Sequence, residues 1–194
     1  MCSSDLEFGR AMAARAAAQQ LPAPRISKAA RPRIGFLSSD LRIHPVARNL
    51  WPFFAGRDRT KFEYVCYAHV ARPDETTDMF RRAADLWRPI AGLDDGDVAR
   101  LIRDDGVDVL IYVAGRYDLN RPQIAAWRPA PVQVSLFDAA TSGLKEMDYL
   151  ISDTAMTPRG TREQFTERVV RLPRFYVHDP LGDRSEEHTS ELQS

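Results

Sequence analysis

Residues 94–114 carry the pattern that most restricts the fold: a helix-like stretch, a glycine, then a run with hardly a polar side chain. Between Asp94 and Asp105, Val98, Leu101 and Ile102 recur at helical spacing and would share one face. Gly106 suits the end of that helix. The run Val107-Asp-Val-Leu-Ile-Tyr-Val-Ala114 is far too short to cross a bilayer and too continuously apolar for a strand with one wet face. A strand of this kind belongs in a sheet covered on both sides, as parallel sheets with crossover helices are.

The same alternation recurs along the chain. Strands are predicted at 33–38, 62–68, 107–114, 132–136, 148–151 and 167–172, with a short extended piece at 87–90. Helices are predicted at 45–56, 74–85 and 94–105, and a helical turn at 123–127. Pro45 fits a first turn and Asp74 a cap. The fold class is therefore α/β, with an open, largely parallel, Rossmann-like sheet beginning at Arg33. Ahead of it, 8–20 is Ala-rich and helix-prone, Leu21-Pro-Ala-Pro breaks that helix, and 25–33 is a basic linker.

Composition narrows the function classes. The chain has 194 residues, 44% apolar and 28% charged, enough for one domain with a sizeable core. Its formal net charge is zero, which gives no argument for nucleic acid or an acidic membrane surface. No basic segment followed by an apolar stretch opens the chain, so no signal peptide is expected. Cys2 and Cys66 lack the spacing of a disulfide framework or a metal site, and a reducing cytoplasm is the expected location. Residues 1–6 and 184–194 resemble translated sequencing adapters. The expected divisions are thus 1–6 and 184–194 as appended segments, 7–32 as helix and linker, and 33–183 as the folded lobe. The tail holds one Arg and three Glu and the head one Asp, which leaves the remainder at +3.

In an open parallel sheet, ligands bind beyond the C-terminal strand ends. Polar clusters fall there: 38–45 after the first strand, 115–121 after the Val107 strand, 137–143 after the Val132 strand, and Ser152-Asp153. His44 is the sharpest candidate. It opens a helix beside Pro45, where an imidazole can accept a proton or donate a hydrogen bond and the helix N-terminus can attract a diphosphate. An ordinary loop histidine bonded to backbone is the competing reading. Ser39 and Asp40 read best as turn and cap residues. Arg116, Asn120 and Arg121 could contact sugar hydroxyls or phosphates, or could belong to a solvated loop. Thr141, Ser142 and Gly143 offer hydroxyls, backbone N–H groups and a flexible turn. His69 and His178 read as structural. The glycine fingerprints of phosphate and dinucleotide loops are absent, and no Cys/His spacing suits zinc, so no metal and no cofactor are expected.

Several of these stretches, in order, resemble one family. Arg33-Ile-Gly-Phe-Leu-Ser-Ser-Asp-Leu-Arg-Ile-His44-Pro45-Val is similar to the opening Arg-Ile-Gly-Tyr-Val-Ser-Ser-Asp-Phe-x-x-His-Pro-Val of the protein O-GlcNAc transferase and SPINDLY-like glycosyltransferases. Phe62 to Tyr67 with Arg72-Pro-Asp74, Gly106 to Ile111, Gly115 to Arg121, Arg128-Pro-Ala-Pro-Val-Gln-Val134, Thr141-Ser-Gly143, Met147-Asp-Tyr149 and Glu167 to Pro173 continue the likeness. The resemblance implies the N-terminal lobe of a two-lobed GT-B catalytic region, in a family that carries TPR repeats ahead of it. It implies metal-independent, inverting transfer of N-acetylglucosamine from UDP-GlcNAc to Ser or Thr hydroxyls of a protein or peptide acceptor. By the same resemblance His44 matches the active-site histidine, a base or an orienting group. Thr141, Ser142 and Gly143 match the end of a loop that lies near the sugar, and with Pro45, Asn120 and Arg121 from the polar loops they make up the expected substrate-binding residues.

The chain departs from the pattern at two places. Gly115-Arg116-Tyr117 stands where bacterial relatives read Gly-His-Thr, and Leu136-Phe-Asp138-Ala-Ala140 replaces a longer Gly-Tyr-Pro loop. A different donor such as GDP-fucose, which the SPINDLY branch uses, and a non-catalytic peptide- or partner-binding module are the rival expectations. A lobe without its partner lobe is expected to be inactive alone.

Overall fold

A computed structural model describes residues 3–173, apart from 20, 28 and 139. Cys2, His178, His188 and the segment 184–194 lie outside the described residues. Among the described residues seven strands form one sheet: β1 (Arg33–Ser38), β2 (Glu63–Ala68), β3 (Leu86–Pro89), β4 (Val109–Val113), β5 (Val132–Leu136), β6 (Tyr149–Asp153) and β7 (Arg168–Leu172). Their spatial order is β3-β2-β1-β4-β5-β6-β7, and every neighbouring pair is parallel. The helices are α1 (Ser3–Ala17), α2 (Pro45–Ala55), α3 (Glu75–Ala83) and α4 (Asp95–Asp104), with a 3-10 helix at Pro122–Trp127.

Each face of the sheet has its own core. Leu37, Tyr67, Leu110 and Tyr112 meet Val98 and Ile102 of α4, Trp127 of the 3-10 helix, and Phe8 and Met12 of α1. On the other face Phe36, Tyr64, Cys66 and Val113 meet Leu50 and Phe54 of α2 and Phe80 of α3. Alternate side chains of one strand thus serve opposite cores, which is why the Val107 run is apolar at both parities. Burial of Cys66 among these groups raises its thiol pKa well above the usual value, so the side chain is a packing group rather than a nucleophile.

Most boundaries shift by a residue or two from expectation, and two of the shifts bear on how the chain ahead of the sheet is held. The strand expected at 107 begins at Val109; at its foot the Asp108 carboxylate, rather than a backbone carbonyl, accepts the N–H of Arg33 (2.8 Å), and it accepts that of Ser27 as well (2.6 Å). That contact ties the basic linker to the lower edge of the sheet. The first helix spans 3–17 rather than 8–20, so it begins within the segment that resembles an adapter. Among the described residues no helix is long and apolar enough to cross a membrane.

Candidate active site

From β1 the chain moves outward through β2 to β3, then returns on the other side of β1 through β4 to β7. The direction of winding therefore reverses between β1 and β4, and the connections leaving their C-terminal ends diverge to open a crevice. The loop 39–44 and the loop 114–121 form its two lips.

The first lip is buried at its root, with Ser38, Ser39, Asp40 and Leu41 all at 2% exposure or less. It ends at His44, the N-cap of α2, whose backbone is extended and whose Nδ1 accepts the N–H of Val46 at 3.2 Å. Because a backbone N–H can only donate, Nδ1 is the unprotonated nitrogen in this geometry, and the neutral ring carries its proton on Nε2. Pro45 follows at the first helical position, where no N–H is needed. Ile43 N–H donates to Asp74 Oδ2 at 2.6 Å, which fastens the lip to the N-cap of α3. Burial on its own would raise the Asp74 carboxyl, but the N–H groups of Ile43 and Thr77 outweigh it and hold the group below its ordinary value. A cavity of about 240 Å³ opens beside the ring, between α2 and α3, with Arg48, Trp51, Thr76 and Met79 in its wall.

The second lip is strained. Ala114, Asp118 and, after β5, Phe137 are non-glycine residues with positive φ, of 64°, 54° and 59°. Such conformations cost of order 1–3 kcal/mol each and gather at functional sites. Gly115 is required where it stands: a Cβ there would come within 2.0 Å of Asp138 Oδ2. The lips are stitched together by Asn120, which accepts Ser39 N–H (2.7 Å) and donates to Asp40 Oδ2 (2.8 Å) and the Tyr117 carbonyl (3.1 Å). Arg42 pairs with Asp118 at 2.6 Å across the same gap. His69, expected to be structural, has Nδ1 at 2.9 Å from the Leu119 carbonyl.

The expected site residues separate into two groups. His44, Pro45 and Asn120 come together at the β1/β4 crevice. Arg121 turns the other way, to Asp95 at the start of α4 (2.6 Å), and is buried. Thr141 and Ser142 are buried as well, and their hydrogen bonds run to Glu167, not to the crevice. Glu167 Oε2 accepts the Thr141 hydroxyl (2.7 Å), and Oε1 accepts Ser142 N–H (2.7 Å) and the Ser142 hydroxyl. Gly143, at φ 75°, lets the backbone of α1 approach: a Cβ there would lie 2.3 Å from the Asp5 carbonyl. Arg116 also faces α1, stacked 4.9 Å over the Phe8 ring.

Asp118 and Glu167 were not singled out from sequence. Asp118 had a local signal, since Asp tolerates the left-handed region better than most residues. Glu167 had none, because its partners lie 25 and 26 positions away. Asp40, His44 and Asp118 each place one ligand atom within 4.8 Å of the others, so they are the described residues best placed for a cation. In this arrangement Nδ1 bonds to Val46, Asp40 to Ser39 and Asn120, and Asp118 Oδ2 to Arg42.

Comparison with known proteins places this geometry in a lineage. The family model described as glycosyl transferase family 41 matches residues 5–187. The "Probable UDP-N-acetylglucosamine--peptide N-acetylglucosaminyltransferase SPINDLY" of Solanum lycopersicum is 34% identical over 149 residues, 74% of this chain and 16% of that protein. The "UDP-N-acetylglucosamine--peptide N-acetylglucosaminyltransferase" of Caenorhabditis elegans is 32% identical over 155 residues, 77% of this chain and 13% of that one. Among solved structures, the K341M mutant of Thermobaculum terrenum O-GlcNAc transferase superposes with a TM-score of 0.80 at 38% identity. The match covers 89% of this chain and 33% of that one. The chain therefore spans about a sixth of the first of these relatives and a third of the solved enzyme.

Proposed function

The chain belongs to glycosyl transferase family 41, and on that premise we propose that it forms one wall of the sugar-transfer crevice of a protein O-linked N-acetylglucosaminyltransferase. The donor is UDP-GlcNAc, the acceptor a Ser or Thr hydroxyl of a protein, and the opposite wall a second lobe of GT-B type. The enzyme works in the cytoplasm behind TPR repeats, without a metal or a resident cofactor. The observation that carries this reading is the position of His44: an N-cap imidazole at the reversal point of the sheet, with Nδ1 tied to the helix and Nε2 left for a substrate.

The chemistry follows from that geometry. Transfer with inversion needs the acceptor oxygen aligned behind the anomeric carbon while the diphosphate leaves from the other side. With its proton on Nε2, His44 is a hydrogen-bond donor that orients an oxygen of the sugar or the acceptor. It serves as a base only after the ring gives up the Val46 contact and exchanges its tautomer. The positive end of the α2 dipole favours a nearby anion, although Val46 N–H is already taken by His44 Nδ1 and Arg48 N–H by the His44 carbonyl.

A second donor reading rests on the β5 loop. Phe137 in the left-handed region and Asp138 against Gly115 replace the family's Gly-Tyr-Pro turn, and a carboxylate beside the sugar pocket would select a different ring. Thermal denaturation of the longer protein with UDP-GlcNAc or GDP-fucose separates the two. A ligand at 100 times its Kd adds about 2.7 kcal/mol to folded-state stability, which raises Tm by several degrees. An N-acetylglucosaminyltransferase must show that rise with UDP-GlcNAc. A rise with GDP-fucose alone replaces the donor, and none with either contradicts a nucleotide-sugar site.

A further inference from the structure

We infer that Asn120 is a positioning residue for His44: its buried carboxamide keeps the Asp40 carboxylate off the imidazole and so fixes which ring nitrogen faces the crevice. The inference rests on the role of His44 proposed above and deepens it.

The hydrogen-bond capacity of Asn120 is spent inside the protein. It is 8% exposed, its carbonyl oxygen accepts Ser39 N–H, and its amide nitrogen donates to Asp40 Oδ2 and the Tyr117 carbonyl. No N–H remains to offer a sugar or a phosphate. The position needs an acceptor toward Ser39 and a donor toward Asp40 at once. Aspartate would set two carboxylates face to face, and leucine would leave a buried N–H and a buried carboxylate oxygen without their partners.

Asp40 sits four residues before His44, is 1% exposed, and holds Oδ1 at 3.9 Å from His44 Nδ1. That separation is just beyond hydrogen-bond range. Asn120 and the Ser39 hydroxyl, which donates to Oδ1 at 3.0 Å, hold the carboxylate there. Released, Asp40 can close on the ring. A carboxylate accepts only, so the closed contact requires a proton on Nδ1. The ring proton would leave Nε2 for solvent while Nδ1 gains one from solvent, a tautomer exchange with no change in charge. Nδ1 could then no longer accept Val46 N–H, and the imidazole would present a bare Nε2 to the crevice. Asn120 thus decides whether His44 meets a substrate as a donor or as an acceptor.

The test needs no transfer activity and uses this chain. Nitrogen-15 NMR of the imidazole reads the tautomer directly, with the His44 signals identified by their loss in His44→Ala. Wild type should show a bare Nδ1 and a protonated Nε2. Asn120→Ala should move the proton toward Nδ1 and lower hydrogen-exchange protection of the Val46 amide about fivefold, roughly 1 kcal/mol at 1.4 kcal/mol per factor of ten. Arg121→Met, in the same loop but bonded to α4, should leave the His44 pattern unchanged. A folded Asn120→Ala chain with the wild-type tautomer and wild-type Val46 protection would overturn the proposal. If that variant does not fold, the exchange Asn120→Asp with Asp40→Asn re-forms the bond with donor and acceptor swapped. It must then keep the proton on Nε2; a protonated Nδ1 there would equally overturn the idea. Loss of transfer in the longer enzyme bears on the function of His44 and leaves this readout untouched.

Discussion

Glu167 shows how much one side chain can fix. Three donors from Thr141 and Ser142 converge on a carboxylate that is 5% exposed, and Thr166 N–H reaches back to the Thr141 hydroxyl at 3.1 Å. The segment that crosses from β5 to β6 is thereby bolted to the residue just before β7. Glu167→Ala would strand those donors in the interior, at a cost of about 1–3 kcal/mol for each left unpaired. Urea denaturation should register a total loss of at least about 2 kcal/mol. A loss below about 0.5 kcal/mol would mean that the clamp does not form. His44 is a smaller test at this scale: as an N-cap it contributes about 1 kcal/mol to α2, so His44→Ala should lower stability by about that amount in this chain, separately from any effect on turnover.

At the scale of elements, α3 is tied to its surroundings by its own cap. Asp74 accepts Thr77 N–H at 2.9 Å, Thr77 Oγ1 accepts Asp74 N–H in return, and the second carboxylate oxygen holds Ile43. Asp94 repeats the device at the start of α4, where the Asp97 N–H lowers its carboxyl below the usual range. Both groups have folded pKa values depressed relative to the unfolded chain. Their contribution is complete above the ordinary aspartate value of about 3.9 and is lost as the pH falls through the lower folded values. Asp74→Ala should therefore destabilise at pH 7 by about 1 kcal/mol, and the difference from wild type should shrink as acid protonates the cap. A difference that stays constant from pH 7 to below pH 3 would contradict that linkage. The Asp74 cap was legible in the sequence, as were the six longer strands, because apolar period and Asp or Gly punctuation are local signals. The order of the strands was not legible. Neither was the division of the polar loops, since Asn120 and Arg121 are adjacent in sequence yet bond to different elements, the loop after β1 and the start of α4. Thr141 and Ser142 look like ligand groups in sequence because nothing nearby shows that a glutamate 25 positions on will claim them.

At the scale of the molecule, the crevice between β1 and β4 has lips but, within this chain, one wall. Exposed Ile43, Tyr117 and Leu119, at 61%, 64% and 53%, lie on those lips, where a facing surface would cover them. Transfer requires the acceptor hydroxyl and the anomeric carbon to be held from both sides. The chain alone should therefore give no labelled product in a single-turnover assay with UDP-GlcNAc and a serine-containing peptide; detectable transfer would show that one lobe suffices. The central claim is that the His44 imidazole works on substrate at the reversal point of the sheet. Its most direct test is the single-turnover rate of the longer enzyme carrying His44→Ala, measured with saturating labelled UDP-GlcNAc and peptide. The account predicts a rate reduced about a hundredfold or more, as for loss of a positioned proton-transfer or hydrogen-bonding group, with donor binding retained; a rate within about twofold of wild type would contradict it.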